Sequence, residues 1–169
     1  LKRLVFLKKY LLHLASLFLV VMQNKEKGIL ITFEGIDGSG KSTQIKLIQK
    51  HLDKVKKKVL YTREPGGTLE AELIRKLILS KNKKIKFDNK NEILLLLAAR
   101  YEHYKKLIEP AITNGKIIIC DRFIDSTLAY QCAGNNELKE FYFQISKSLI
   151  NKFEPDLTIL LDISPIKAL

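Results

Sequence analysis

Gly35, Gly40, Lys41 and Ser42 stand at the spacing Gly-x-x-x-x-Gly-Lys-Ser, directly after an apolar run that begins at Ile29. Each residue type in this pattern answers a need of phosphate chemistry. The glycines admit backbone angles closed to other residues, so successive N–H groups can turn inward around an anion. Lys41 carries a mobile positive charge toward the outer phosphates, and the Ser42 hydroxyl is a hard oxygen ligand of the kind Mg2+ takes. A helix opening near Ser42 adds the positive end of its dipole. Gly35, Ile36, Asp37, Gly38, Ser39, Gly40, Lys41, Ser42 and Thr43 together read as a P-loop that cradles the phosphates of a nucleoside triphosphate.

Four further charged residues, Glu34, Arg63, Asp121 and Asp162, fall at or just past the ends of apolar runs, and Arg122 adjoins Asp121. Arginine can fork onto two phosphate oxygens where lysine cannot. An ion pair between Arg63 and Glu64 or another acid on the rim, or between Asp121 and Arg122, would leave the same trace in the sequence.

The elements that must position these groups follow from the hydrophobic pattern. Ile29 to Glu34 is a strand. Ile45, Ile48, Leu52 and Val55 recur at helical spacing, which predicts an amphipathic helix over Ser42–Lys54. Lys58–Thr62 is a short strand, the turn Arg63-Glu64-Pro65-Gly66-Gly67 follows, and Thr68 caps a helix through about Leu79 with Leu73, Ile74, Leu77 and Ile78 on its apolar face. Lys81–Lys90 is a charged loop. Asn91–Asn114 predicts a longer helix that Pro110 interrupts, Lys116–Cys120 a buried strand, Leu138–Phe153 a helix and Leu157–Leu161 another buried strand. Strands alternating with helices predict an α/β fold with a parallel sheet covered by helices on both faces. Ligands of such sheets bind beyond the carboxyl ends of the strands, where the charged residues lie.

The chain has 169 residues, enough for one such domain. Its net charge of +12 is concentrated in lysine runs at Lys54–Lys58 and Lys81–Lys90, without the interleaved aromatics of a base-stacking surface. Solvated faces and anionic small-molecule substrates account for the charge more simply than nucleic acid does. The two cysteines, Cys120 and Cys132, are too few for a disulfide framework and fit a reducing, cytoplasmic compartment. Residues 1–21 stand apart: basic at the start, then apolar from Tyr10 to Val21, with the only methionine following at Met22. The run is shorter than the ~20 residues of a membrane span and lacks a cleavage pattern. It reads as translated upstream sequence or a short hydrophobic segment, with the P-loop domain over 22–169.

FEGIDGSGKST, TREPGGT, LLAARYEH, DRFIDSTLAYQ and PDLTILLD occur in that order, and on these motifs the chain resembles the bacterial-type thymidylate kinases from about Ile29 to Leu169. The resemblance implies a P-loop NTPase fold of the nucleoside monophosphate kinase kind and transfer of a phosphoryl group from ATP to dTMP, with Mg2+ as cofactor. Lys41, Asp37, Arg63 and Arg122 would be catalytic. Arg63 and Arg122 would grip the dTMP phosphate, and Asp37 would hydrogen-bond the sugar 3′-hydroxyl. Arg100 would read the thymine edge, Thr127 would contact the base and Tyr130 would crowd the 2′ position. Ser42 and Asp121 would hold the metal. A homodimer packed through the Asn91–Asn114 helix (Ile93, Leu94, Leu97, Leu107) is implied as well, although those residues would serve equally as core. Gln131 carries no role in this reading, and His103 reads as a surface histidine.

The chain departs from the family pattern at two places. Leu96 stands where the family commonly has a phenylalanine that stacks on thymine. Gly38 marks the kind of kinase whose basic residues come from a lid, which would follow Asp162, while no arginine occurs after Arg122. The lid, the last strand and the C-terminal helices are therefore expected to be missing. The alternatives to a dTMP kinase are a kinase for another nucleoside monophosphate and a nucleotide-binding form without useful catalysis.

Overall fold

The computed structural model of the chain describes residues 2–6, 27–54, 58–82, 84–149 and 154–168. The apolar run from Tyr10, Met22 and the expected helical turn up to Phe153 lie outside the described residues. Five strands form one parallel sheet: β1 (Lys2–Phe6), β2 (Ile29–Glu34), β3 (Val59–Arg63), β4 (Ile117–Asp121) and β5 (Leu157–Leu161), in the spatial order β1-β5-β2-β4-β3. The parallel arrangement is the one the alternation of strands and helices predicts. Residues 2–6, set apart in the sequence as part of a leader, form an edge strand with Lys2 opposite Leu157.

The strands alternate in side-chain direction, so each feeds both faces of the sheet. Ile29, Ile31 and Phe33 of β2 join Ile117, Ile119, Leu157, Ile159 and Leu161 on one face. There they meet Ile48 and Leu52 of helix α1 (Lys41–Lys54). Leu30, Ile118 and Cys120 face the other way, against Phe123, Ile108 and Ala111. The register brings Phe33 opposite Asp121 across β2 and β4, and Arg63 opposite Asp121 across β3 and β4. The carboxyl ends of these strands therefore finish side by side.

Helix α2 (Leu69–Ile78) begins at Thr68, whose hydroxyl accepts the Ala71 N–H at 3.3 Å. Helix α3 (Asn89–His103) begins at Asp88, which accepts the Asn91 N–H at 2.8 Å. These caps satisfy N–H groups that a helix start leaves open. The expected long helix is divided: α3 passes into a π-helical turn over Tyr104–Ile108 and then into α4 (Glu109–Thr113). Pro110 gives the reason, since it lacks an N–H and its ring would strike the carbonyl of Lys106 in a straight α-helix. Widening the preceding turn avoids that clash and keeps the chain helical. Two more helices, α5 (Ile124–Gln131) and α6 (Asn136–Leu149), pack with α3 around Ile93, Leu97, Cys132, Leu138 and Tyr142. The sequence pattern did not predict α5, which starts at Phe123 without a side-chain cap. A short helix α7 (Pro165–Ala168) follows β5. Among the described residues no helix is long and apolar enough to cross a membrane.

Candidate active site

The strand β2 delivers the chain into a loop whose backbone bends through positive φ at Gly35, Gly38 and Gly40. Gly40 has open space around it, so its φ of +91° alone explains the glycine. Lys41 opens α1 and is buried; its Nζ donates to the carbonyls of Gly35 and Ile36, each at 2.9 Å. Burial, and next the nearby Arg122 guanidinium, push its pKa below the usual lysine range. The ammonium thus spans the loop from inside, ready to exchange carbonyl partners for phosphate oxygens.

Asp121, at the end of β4, accepts the Ser42 hydroxyl on Oδ2 at 3.3 Å, while its Oδ1 is buried with no partner. It does not pair with Arg122. A hydroxyl and a carboxylate with a spare oxygen are the hard donors Mg2+ takes, so these two residues fit such an ion.

Arg122 sits at φ +68°, a left-handed conformation that costs a non-glycine residue about 1–2 kcal/mol. Its N–H bonds the Phe33 carbonyl at 2.9 Å and its own carbonyl accepts the Cys120 thiol at 3.1 Å. These bonds hold the turn and aim the guanidinium back at the phosphate loop. Nη1 donates to the Gly35 carbonyl at 3.1 Å and to Ser126 Oγ at 2.9 Å, Nη2 pairs with Asp37, and the Tyr130 ring lies 5.4 Å away. Behind it the buried Glu34 carboxylate accepts the Phe123 N–H at 2.7 Å and the Ser126 hydroxyl at 2.6 Å. Burial raises the Glu34 pKa.

These groups open onto a cleft of about 390 Å³ lined in part by Asp37, Arg63, Leu96, Arg100, Thr127 and Tyr130. The structure thus gathers the residues that the sequence nominates for the acceptor, from separate segments of the chain. Arg63 pairs with Glu72, at 3.1 Å, and not with its neighbour Glu64; it remains more than half exposed. Leu96 lies on the wall, and Tyr130, 56% exposed, stands in the cleft and not in the core. Arg100 is nearly fully buried. Its Nε donates to Glu64 at 2.6 Å, Nη1 to the Tyr142 hydroxyl at 2.9 Å, and Nη2 to the Phe123 carbonyl at 3.0 Å and to Thr127 Oγ1 at 2.9 Å. All three guanidinium nitrogens are therefore engaged by protein, with four of the five N–H donors taken, and Arg100 reaches the cleft as part of its wall.

Four residues at the site have roles that the sequence does not disclose. Arg75 of α2 lines the cleft and donates to the Pro65 carbonyl at 2.8 Å. Phe123 carries the Arg100 guanidinium over its ring at 5.0 Å. His103 is wholly buried, which corrects its reading as a surface histidine. Gln131, left without a role, lines the cleft and donates to Glu92 at 3.1 Å.

A parallel α/β sheet whose P-loop lysine, serine and strand-end aspartate face a basic cleft defines a nucleotide-dependent phosphotransferase architecture. The family model for thymidylate kinase matches residues 33–169. The chain belongs to the thymidylate kinase family. It is 47% identical over 144 residues to a thymidylate kinase of Orientia tsutsugamushi (strain Ikeda), covering 85% of this chain and 64% of that protein. To a thymidylate kinase of Wolbachia pipientis wMel it is 49% identical over 137 residues, covering 80% of this chain and 67% of the relative. A crystal structure of thymidylate kinase from Ehrlichia chaffeensis superposes with a TM-score of 0.72 at 40% identity, covering 84% of this chain and 80% of that one. The chain thus spans about two thirds of the length of the curated relatives it matches.

Proposed function

We propose that the chain transfers the γ-phosphoryl group of ATP to dTMP, giving dTDP on the way to dTTP. The observation that carries this reading is the junction of the two halves of the site. Arg122 reaches the P-loop carbonyl of Gly35 with one nitrogen and Asp37 with the other, and its ring partner Tyr130 stands on the wall of the acceptor cleft. Donor and acceptor phosphates would meet around that one guanidinium, as an in-line displacement requires.

In this reading the main-chain amides of Gly35–Thr43 and Lys41 hold the β- and γ-phosphates of ATP. Arg63 and Arg122 take the dTMP phosphate, where forked donors neutralise charge as it spreads over the transferring oxygens. Asp37 receives the sugar 3′-hydroxyl. Leu96, Arg100 and Thr127 form the base slot, and Tyr130 excludes a 2′-hydroxyl. Ser42 and Asp121 would hold Mg2+, which supplies charge neutralisation at the phosphates. No covalent intermediate is needed; the protein positions groups and stabilises charge.

A coupled assay of ATP consumption with dTMP, dUMP, dCMP, dGMP and dAMP as acceptors tests the reading. Turnover fastest with dTMP, weaker with dUMP and absent with the other three is the expected result. Preference for another nucleotide would assign the chain to a different monophosphate kinase activity, and binding without turnover would leave only the nucleotide-binding role.

A homodimer is the further proposal. Ile93 and Leu97 are core and Leu107 is half-buried, while Leu94 is exposed. The stronger support comes from α2, where Leu69, Leu73 and Leu77 form an exposed stripe at i, i+4, i+8, with exposures of 76, 58 and 40%. A second copy of the chain would cover it. Sedimentation at micromolar concentration should give a dimer, and Leu73→Glu a monomer.

A further inference from the structure

We infer that His103 is a positioning residue for the acceptor site: a single imidazole pins both chain neighbours of Arg63, one of which also pairs with Arg100. The inference rests on the dTMP kinase reading above.

The geometry is direct. Arg63 ends β3, and its neighbours Thr62 and Glu64 point to the opposite face from it, as strand alternation requires. Both neighbours meet His103. Its Nε2 lies 2.7 Å from Thr62 Oγ1 and its Nδ1 lies 3.0 Å from Glu64 Oε1. The other Glu64 oxygen receives Arg100 Nε at 2.6 Å. All four side chains except Thr62 are essentially buried, with His103 at 0% exposure, Arg100 at 2% and Glu64 at 4%.

The hydrogen-bond inventory sets the tautomer. A carboxylate paired with Arg100 only accepts, so Nδ1 carries the proton and donates to Glu64. In the neutral ring Nε2 is then left to accept the Thr62 hydroxyl. The ring is thereby fixed at both ends, and it cannot flip without breaking both bonds.

The same ring also supports the following turn. A Cβ placed on Gly67 would lie 2.5 Å from both Cδ2 and Nε2 of His103 and 2.6 Å from Thr62 Oγ1. Gly67 therefore rests directly on the His103–Thr62 bond. Through these contacts the β3–α2 loop, which carries Arg63, and the helix α3, which carries Arg100, are held as one unit. Arg100 is anchored from the far side by Phe123, Thr127 and Tyr142. Glu64 and His103 are what tie it to the arm bearing Arg63. Loss of His103 would free that arm while leaving Arg100 and the P-loop in place.

The test uses the 169-residue chain and three variants. His103→Leu removes both bonds. His103→Asn places an amide nitrogen near Nδ1 and keeps the Glu64 bond. Thr62→Val removes only the other bond. The expected result is a dTMP KM raised about ten- to a hundredfold in His103→Leu, the size of a misplaced binding group. The ATP KM should stay within about twofold, because the P-loop is untouched. His103→Asn should restore most of the dTMP affinity, and Thr62→Val should show a smaller rise in dTMP KM alone. An unchanged dTMP KM in His103→Leu would overturn the inference. So would ATP and dTMP parameters falling together in all three variants, the mark of a merely structural histidine. If His103→Leu does not fold, Thr62→Val and His103→Asn decide by the same split. Nitrogen NMR of the histidines is a readout without activity: protonation at Nδ1 with a bare Nε2 is expected, and the reverse tautomer would overturn the clamp. A wild-type chain that neither binds nor phosphorylates dTMP would overturn the functional reading itself, which unchanged affinity in a variant would not.

Discussion

Arg122 and Asp37 form an ion pair across the mouth of the P-loop although Asp37 is 93% exposed and Arg122 only 18%. An exposed ion pair contributes little to stability, so the pair is better understood through what Arg122 does with its other nitrogens. Nη1 holds the Gly35 carbonyl and Ser126; under the proposed function a substrate phosphate would replace Asp37 and gain a guanidinium already aimed.

Arg122→Lys tests this. A lysine keeps the charge but cannot serve three partners in one plane. The variant should fold with an unchanged melting temperature and lose about 10²-fold or more in kcat, the scale of removing one preorganised donor to transition-state charge. Steady-state kinetics together with thermal melting check it. A fall in dTMP affinity alone, with kcat retained, would place Arg122 in binding only.

Asp121→Asn addresses the metal. The amide oxygen can still accept the Ser42 hydroxyl, so the loop should keep its shape while the hard anionic donor is lost. The Mg2+ concentration for half-maximal activity should rise about tenfold. Titration of Mg2+ at fixed ATP reads this. An unaltered titration would remove Asp121 from the metal site.

Leu96→Phe concerns the base slot. Leu96 lines the cleft and can pack against a base face, but it lacks the ring-on-ring attraction of about 0.5–1.5 kcal/mol. The variant should lower the dTMP KM by up to about tenfold with kcat little changed. No change would mean that another side chain, such as Tyr130, already supplies the stacking.

The parts legible in the sequence are those whose geometry is local. Gly35, Lys41 and Ser42 disclose a candidate site because one loop and the helix after it carry all three. Arg63 and Arg122 were found because strand ends of a parallel sheet collect at one edge. Other residues depend on contacts between distant segments. His103 gave no local sign, since its partners lie 41 and 39 residues away and its helix face is recognised only once α3 is packed. Arg100 was nominated by motif as a reader of the base, yet its burial and protein partners are visible only in the fold. Helix α5 escaped because it is short and uncapped, and Pro110 suggested a break where the chain widened into a π turn.

Gly67→Ala separates packing from backbone preference. Both Gly40 and Gly67 have φ near +90°, but only Gly67 faces a wall, the His103 ring at 2.5 Å. Gly40→Ala should cost about 1–2 kcal/mol of stability from conformation alone. Gly67→Ala should add the cost of overpacking, about 1–3 kcal/mol more. Chemical denaturation of the two variants gives the comparison. Equal losses would show that the ring yields freely.

Glu34→Gln tests the buried carboxylate behind Arg122. Burial raises the Glu34 pKa above the ordinary value of 4.5, against the opposing bonds from Ser126 and Phe123. Between 4.5 and the raised value the folded state holds more protons than the unfolded one. The sign follows: stability contributed by this group is present at low pH and is lost as pH rises through that interval. Glutamine cannot ionise, and its carbonyl can still accept the Phe123 N–H while its amide meets Ser126 Oγ. The stability of wild type minus that of Glu34→Gln, measured by denaturant at a series of pH values, should therefore fall as pH increases above 4.5 and then level off. Other titrating groups cancel in this difference. Parallel curves for the two proteins would show that Glu34 ionises as freely in the fold as in the unfolded chain.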